Sequence, residues 1–238
     1  LDANTTASSC TAVGVSALTA NTTGTVNTAV GRQALQDNTT GGYKQAFGYL
    51  TLQSNTTGTR NVGVGYSCIR LNTTGGDNIG IGYSTVNANT TGNNNIGIGL
   101  EALRYNQTGG NNIAIGVDAL EDHTVSNTTA IGYSALKENT TGTGNTAVGK
   151  GALQLNTTGA DNTAVGLEAL QYNTGNFNTA LGRQALVANT SANGNTAVGY
   201  LALLSNTTGA DLVAVGWRSL DANTTGGKNT AVGYNSLS

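Results

Sequence analysis

The chain has 238 residues, of which 35 are Gly, 31 Asn and 39 Thr, while charged residues make up only 9% and Pro and Met are absent. That inventory excludes a helical bundle, which needs many more Ala, Leu, Glu and Lys positions, and it excludes charge-driven disorder, because 37% hydrophobic residues suffice for a thin core. Ten basic against twelve acidic residues leave a net charge of −2 and no electrostatic footprint for nucleic acid, and no run of about 18 apolar residues is present for membrane insertion.

The whole chain is one tandem repeat. Its anchor is the glycine that closes each Asn-Thr-Ala-Val-Gly-like stretch, beginning at Gly14, Gly31 and Gly48 and running to Gly233. Eleven of the thirteen intervals are 17 residues and two are 16; the short ones have lost a residue after His123 and after Asn173. Deletions confined to one segment mark that segment as the loop.

Along each repeat, the residue before the anchor is always apolar, as in Val13, Val30, Phe47, Val64 and Ile81, and the residue two places earlier is Thr, Val or Ile except at Gln45. These two rows share a face at period 2, so the spacing predicts a short β-strand that points its β-branched side chains inward. Between them lies a row of only Ala or Gly (Ala29, Gly63, Gly80, Gly97, Ala147), which predicts a face where another backbone comes close. Four residues after the anchor comes a second apolar row, Leu18, Leu35, Leu52, Ile69, Val86 and onward to Leu237. Each coil should therefore bury about two large side chains. Seventeen residues cannot hold a strand and a packed helix, because strands stack at about 4.8 Å and helices at about 8–10 Å. A second short strand after the anchor is favoured over a single helical turn. The fold class is thus all-β: a β-solenoid (β-roll) of about fourteen 17-residue coils, residues 1–238 forming one tandem-repeat domain of a longer fibre.

Two asparagine rows remain. One precedes the strand (Asn27, Asn61, Asn78), and the other opens the turn at Asn21, Asn38, Asn55, Asn72, Asn89, Asn106, Asn139, Asn156, Asn173, Asn189, Asn206 and Asn223. Asparagine tolerates left-handed backbone at corners and can form hydrogen-bonded ladders. All twelve but Asn173 are also Asn-x-Thr/Ser sequons, as are Asn4 and Asn127, so the eleven of the row are candidate glycosylation sites in an exposed turn, although the repeat itself generates their number. His123 fills an Asn slot and reads as a substituted corner residue.

Enzyme chemistry fails on inventory, since triads and most metal sites need His, Cys and carboxylates to converge and the chain has one His. Gly63-Val-Gly65 and its equivalents lack the helix a phosphate loop needs. The stretch Gly75-Gly-Asp-Asn-Ile-Gly80 is only faintly like calcium-binding β-roll repeats. No catalytic residue, metal ligand or cofactor is expected. Cys10 and Cys68 lie in different rows three coils apart, too far for an intrachain disulfide; they read as small slot-fillers or as intermolecular crosslinks. The row after the anchor holds Tyr49, Tyr66 and Tyr83 in succession, a stacked strip that suits either sugar binding or ladder stabilisation. Adjacent Thr rows raise ice binding as an alternative. The strand Thr row is interrupted by Val62, Ile79, Ile96 and Ile113, however, which suggests that those positions face inward.

The strands Asn145-Thr-Ala-Val-Gly149 and Asn112-Ile-Ala-Ile-Gly116, each with a small residue three after the glycine as in Ala17, Ala34, Ala135 and Ala152, resemble the head repeats of YadA-like trimeric autotransporter adhesins. The same wording is similar to repeats of tail-fibre-like surface proteins. The resemblance implies a left-handed β-roll, three chains around one axis meeting at the Ala/Gly row, and a role in surface attachment. Taken together, these observations predict a non-enzymatic segment of an extracellular fibre, filament or adhesin at a cell or virion surface. It self-associates as a homotrimer or end-to-end filament, and the competing reading is a glycan- or ice-binding solenoid.

Overall fold

The computed structural model describes residues 2–238; Leu1 lies outside them. The chain forms two compact units, Leu1–Asp118 and Ala119–Ser238. In the first unit the strands are β1 (Thr11–Val13), β2 (Thr28–Val30), β3 (Gln45–Phe47), β4 (Val62–Val64), β5 (Ile79–Ile81), β6 (Ile96–Ile98) and β7 (Ile113–Ile115). In the second they are β8 (Thr129–Ile131), β9 (Thr146–Val148), β10 (Thr163–Val165), β11 (Thr179–Leu181), β12 (Thr196–Val198), β13 (Val213–Val215) and β14 (Thr230–Val232). Within each unit every strand pairs in parallel with the next, and each residue lies opposite its own repeat equivalent: Thr11 opposite Thr28, Ala12 opposite Ala29, Val13 opposite Val30. The 16-residue interval within the second unit does not disturb this register, since Thr163 still pairs with Thr179. The expected all-β solenoid is therefore present.

One strand per coil is formed, and among the described residues there is neither a second strand nor a helix. The segment after the anchor is instead a run of turns in which alternate residues are left-handed, as at Gln33 (φ 59°) and Leu35 (φ 51°). That alternation breaks both a ladder strand and a helical turn. The asparagine rows are not the left-handed ones. That conformation falls on the second and fourth residues after the anchor and on the residue before the pre-strand Asn, whatever its side chain, Ile69 and Val86 included.

The inward and outward faces are the reverse of the expectation. Ala29, Ala46, Ala114, Ala130 and Ala147 are 0% exposed, whereas Phe47 is 40% and Ile81 39% exposed. The β-branched rows thus line the outside of the strand, and the Ala/Gly row lines the inside. The cause is thickness. Opposite each strand the Leu row fills the interior with one large side chain per coil (Leu18, Leu35, Leu52 and Leu103 are all 0% exposed), so the strand can contribute nothing larger than a methyl group.

Three successive coils show this fit residue by residue. Where the slot three after the anchor enlarges from Ala to Thr51, Cys68 and Thr85, the strand residue of the following coil shrinks to Gly63, Gly80 and Gly97. A Cβ on Gly97 would lie 2.6 Å from both Thr85 Cγ2 and Val86 Cγ2. Gly97→Ala should therefore destabilise the chain by about 2 kcal/mol by overpacking. Thr85→Ala in the same chain should recover part of that loss, because the equally close contact with Val86 remains. Urea unfolding of the single and double variants tests this, and additive losses would sink the compensation.

Candidate functional site

The structure concentrates its polar chemistry inside the coil, in two asparagine ladders. In the first unit Asn38 Nδ2 donates to Asn21 Oδ1 (2.6 Å), Asn72 to Asn55 (2.6 Å) and Asn89 to Asn72 (2.8 Å). In the second, Asn156 donates to Asn139 (3.1 Å), Asn189 to Asn173 (2.7 Å), Asn206 to Asn189 (3.2 Å) and Asn223 to Asn206 (2.9 Å). Each amide also donates to the carbonyl that closes its own corner, as Asn21 does to Gly24 (3.0 Å) and Asn156 to Gly159 (2.8 Å). The pre-strand row works differently. Asn61 Nδ2 donates to Gly75 O (2.8 Å), while Asn61 Oδ1 accepts the backbone N–H of Asn78 (2.9 Å). These bonds satisfy buried groups that water cannot reach.

This geometry corrects the glycosylation expectation. Asn21, Asn38, Asn55, Asn72, Asn89, Asn106, Asn139, Asn156, Asn189 and Asn206 are all 0% exposed, and Asn223 is half-buried. In the folded chain none of the fully buried amides can carry a sugar. Of the sequons, only Asn4 and Asn127 lie on the surface.

His123 occupies the ladder in place of an asparagine and is fully buried. His123 Nδ1 lies 2.9 Å from Asn139 Nδ2 and 3.3 Å from Asn139 O, so one neutral tautomer accepts from the ladder amide and the other donates to the carbonyl. Burial lowers its pKa to about 4, against a smaller opposing effect of the Asn139 and Val125 backbones.

Lys44, not singled out by the sequence, stands in the pre-strand Asn row and is completely buried. Its Nζ takes over the donor role of the missing amide, reaching Asn38 Oδ1 and Gly58 O (2.9 Å). It was discoverable as the one cation in an otherwise neutral row. Burial lowers its pKa from 10.5 to about 7, with Cys10 opposing. The unfolded chain therefore binds a proton that the folded chain resists, so stability rises as pH increases from about 7 towards 10.5. Lys44→Asn should raise stability at neutral pH by about 2 kcal/mol and abolish that rise. Urea midpoints across this window read both effects, and an unchanged slope would refute them.

Tyr49, Tyr66 and Tyr83 are brought together. Their centroids lie 5.1 and 5.0 Å apart, with Arg32 5.7 Å from the Tyr49 centroid. The second unit repeats the device with Arg183, Tyr200, Trp217 and Tyr234. Ring stacks at this distance cover one another's faces and leave edges and hydroxyls outward, which favours ladder stabilisation over the face-on platform sugars need. Both cysteines are free. Cys68 is buried, its thiol donating to Gly82 O (2.7 Å), and burial pushes its pKa up. That corrects the crosslink expectation for Cys68. Cys10 is half-buried. A shallow depression of about 150 Å³ is lined by Leu204, Ser205, Arg218, Asp221 and Ala222, and there Arg218 Nε is ion-paired with Asp221 at 2.5 Å.

No family profile, curated protein or solved structure matches the chain. Among the described residues no helix is long and apolar enough to cross a membrane.

Proposed function

We propose that this chain is a non-enzymatic structural segment of an extracellular fibre, filament or adhesin, one that provides length and carries a repetitive surface. The observation that supports the reading is the dependence of each coil on the next. The strand, the Asn ladder and the Thr22 hydroxyl, which donates to Thr39 O (3.0 Å), all find their partners in the adjacent coil. A coil of this kind has no stability alone and gains it only by stacking, which suits a module selected for extent. His123, Cys68 and Lys44 are built into the interior as ladder or packing groups.

Self-association belongs to the same reading, but the Ala/Gly row cannot be its contact because that row is interior. Other copies would meet the outer rows. Light scattering coupled to size exclusion tests the proposal. A native mass of three times 23.9 kDa, or larger open-ended species, is the expected result. A lone 23.9 kDa particle at every concentration would overturn it.

A further inference from the structure

The outward strand face of the second unit has a feature that length alone does not require. Thr129, Thr146, Thr163, Thr179 and Thr196 form an unbroken row in which each residue lies opposite the next across the parallel ladder. They are half-buried, and they flank a parallel row of aliphatic residues such as Val148 and Val165. Neither row carries a charge.

A second threonine array, at the corner, provides a comparison. There Thr124, Thr140, Thr157, Thr174, Thr190 and Thr207 sit on a turn segment, and all of their hydroxyls but that of Thr157 donate to carbonyls of the next coil at 2.8–3.1 Å. The corner row is continuous through both shortened repeats, where Thr124 and Thr174 keep the same bond at 2.8 Å, so what sets it apart from the strand row is the engagement of its hydroxyls with the backbone. The strand row keeps register through the shortened repeat at Asn173, with Thr163 opposite Thr179. It is therefore, among the described residues, the array on this unit whose hydroxyls are not engaged by the backbone of the next coil.

We propose that this face binds ice. Hydroxyls repeating at the strand spacing of about 4.8 Å lie close to the oxygen repeat along one axis of hexagonal ice. The aliphatic row beside them restricts the orientations of first-shell water. Water anchored by one Thr is thereby placed in step with water anchored by the next, and many weak contacts made at once give lasting attachment. The first unit carries Val62, Ile79, Ile96 and Ile113 at the equivalent positions and keeps only Thr11 and Thr28 of the row, so the activity resides in the second. The outward orientation of these rows removes the ground on which the sequence argued against such a role. The inference goes beyond the fibre reading and does not depend on it.

Ice-crystal shaping and thermal hysteresis of the intact chain provide the test, together with Thr163→Tyr on the strand face and Thr158→Tyr on the corner. The expected result is faceted crystals with the parent chain, loss of faceting and hysteresis in Thr163→Tyr with an unchanged thermal melt, and retention in Thr158→Tyr. Absence of faceting by the parent chain at millimolar concentration would overturn the proposal. So would equal activity in Thr163→Tyr, or pull-down by crystalline polysaccharide without any effect on ice.

Discussion

Gly132→Ala should be among the most damaging single substitutions in the second unit, lowering its stability by about 4 kcal/mol. Two effects add. Gly132 has φ 137°, a region that a residue with a Cβ scarcely enters. A Cβ there would also lie 2.5 Å from Gly149 O and 2.6 Å from Gly149 C, so backbone would meet backbone one coil on. Neither atom belongs to a side chain that could rotate away. Gly151→Ala is the control. Gly151 also has positive φ (65°), yet its added Cβ meets nothing closer than Gln154 Oε1 at 3.4 Å, and the equivalent positions of neighbouring coils already hold Glu168 and Gln184. Its expected loss is about 1 kcal/mol. Chemical unfolding of the two variants decides between stacking and backbone conformation as the main cause. Equal losses would remove the stacking argument.

Asn156→Ala is the second large effect, at about 3 kcal/mol. The side chain donates to Asn139 Oδ1 (3.1 Å) and Gly159 O (2.8 Å), and its Oδ1 accepts from Asn173 Nδ2 (3.3 Å). Truncation leaves all three partners short of a bond in a site with no solvent access, and each deficit costs about 1 kcal/mol or more. Asn156→Asp separates hydrogen bonding from volume. The carboxylate keeps the shape and the acceptor but loses both donors, and it sets a charge against two oxygens. Burial would raise its folded pKa above the unfolded value of about 3.9. The variant should therefore be worse than Ala at neutral pH and recover as pH falls through that raised value. A melting temperature for Asn156→Asp at or above that of Asn156→Ala at neutral pH would refute the ladder account.

Much of the architecture was legible because a repeat reports every position fourteen times. The period, the strand, the Leu row and the corner deletions all follow from alignment of the chain with itself. The direction of the strand faces did not, since period 2 says only that neighbouring residues point opposite ways. Assigning the bulky row to the interior is the usual choice, and here it fails because Leu35 and its equivalents already fill the coil. The sequence did hold the answer in an unobvious form, in the match of Gly63, Gly80 and Gly97 to Thr51, Cys68 and Thr85 one coil earlier. The left-handed backbone at Leu35, Ile69 and Val86 left no trace at all, because neither the size nor the polarity of these residues signals it. The aromatic strip was read as a strip; its closed faces needed coordinates.

The pairing of each residue with its own equivalent has an evolutionary corollary. When Gly132 meets Gly149 and Asn156 meets Asn139, removal or duplication of one whole period joins like to like and creates no junction of a new kind. Unequal recombination at this gene would thus change the reach of the product while leaving its local rules intact. Point changes within a period would meet the full resistance of the stack.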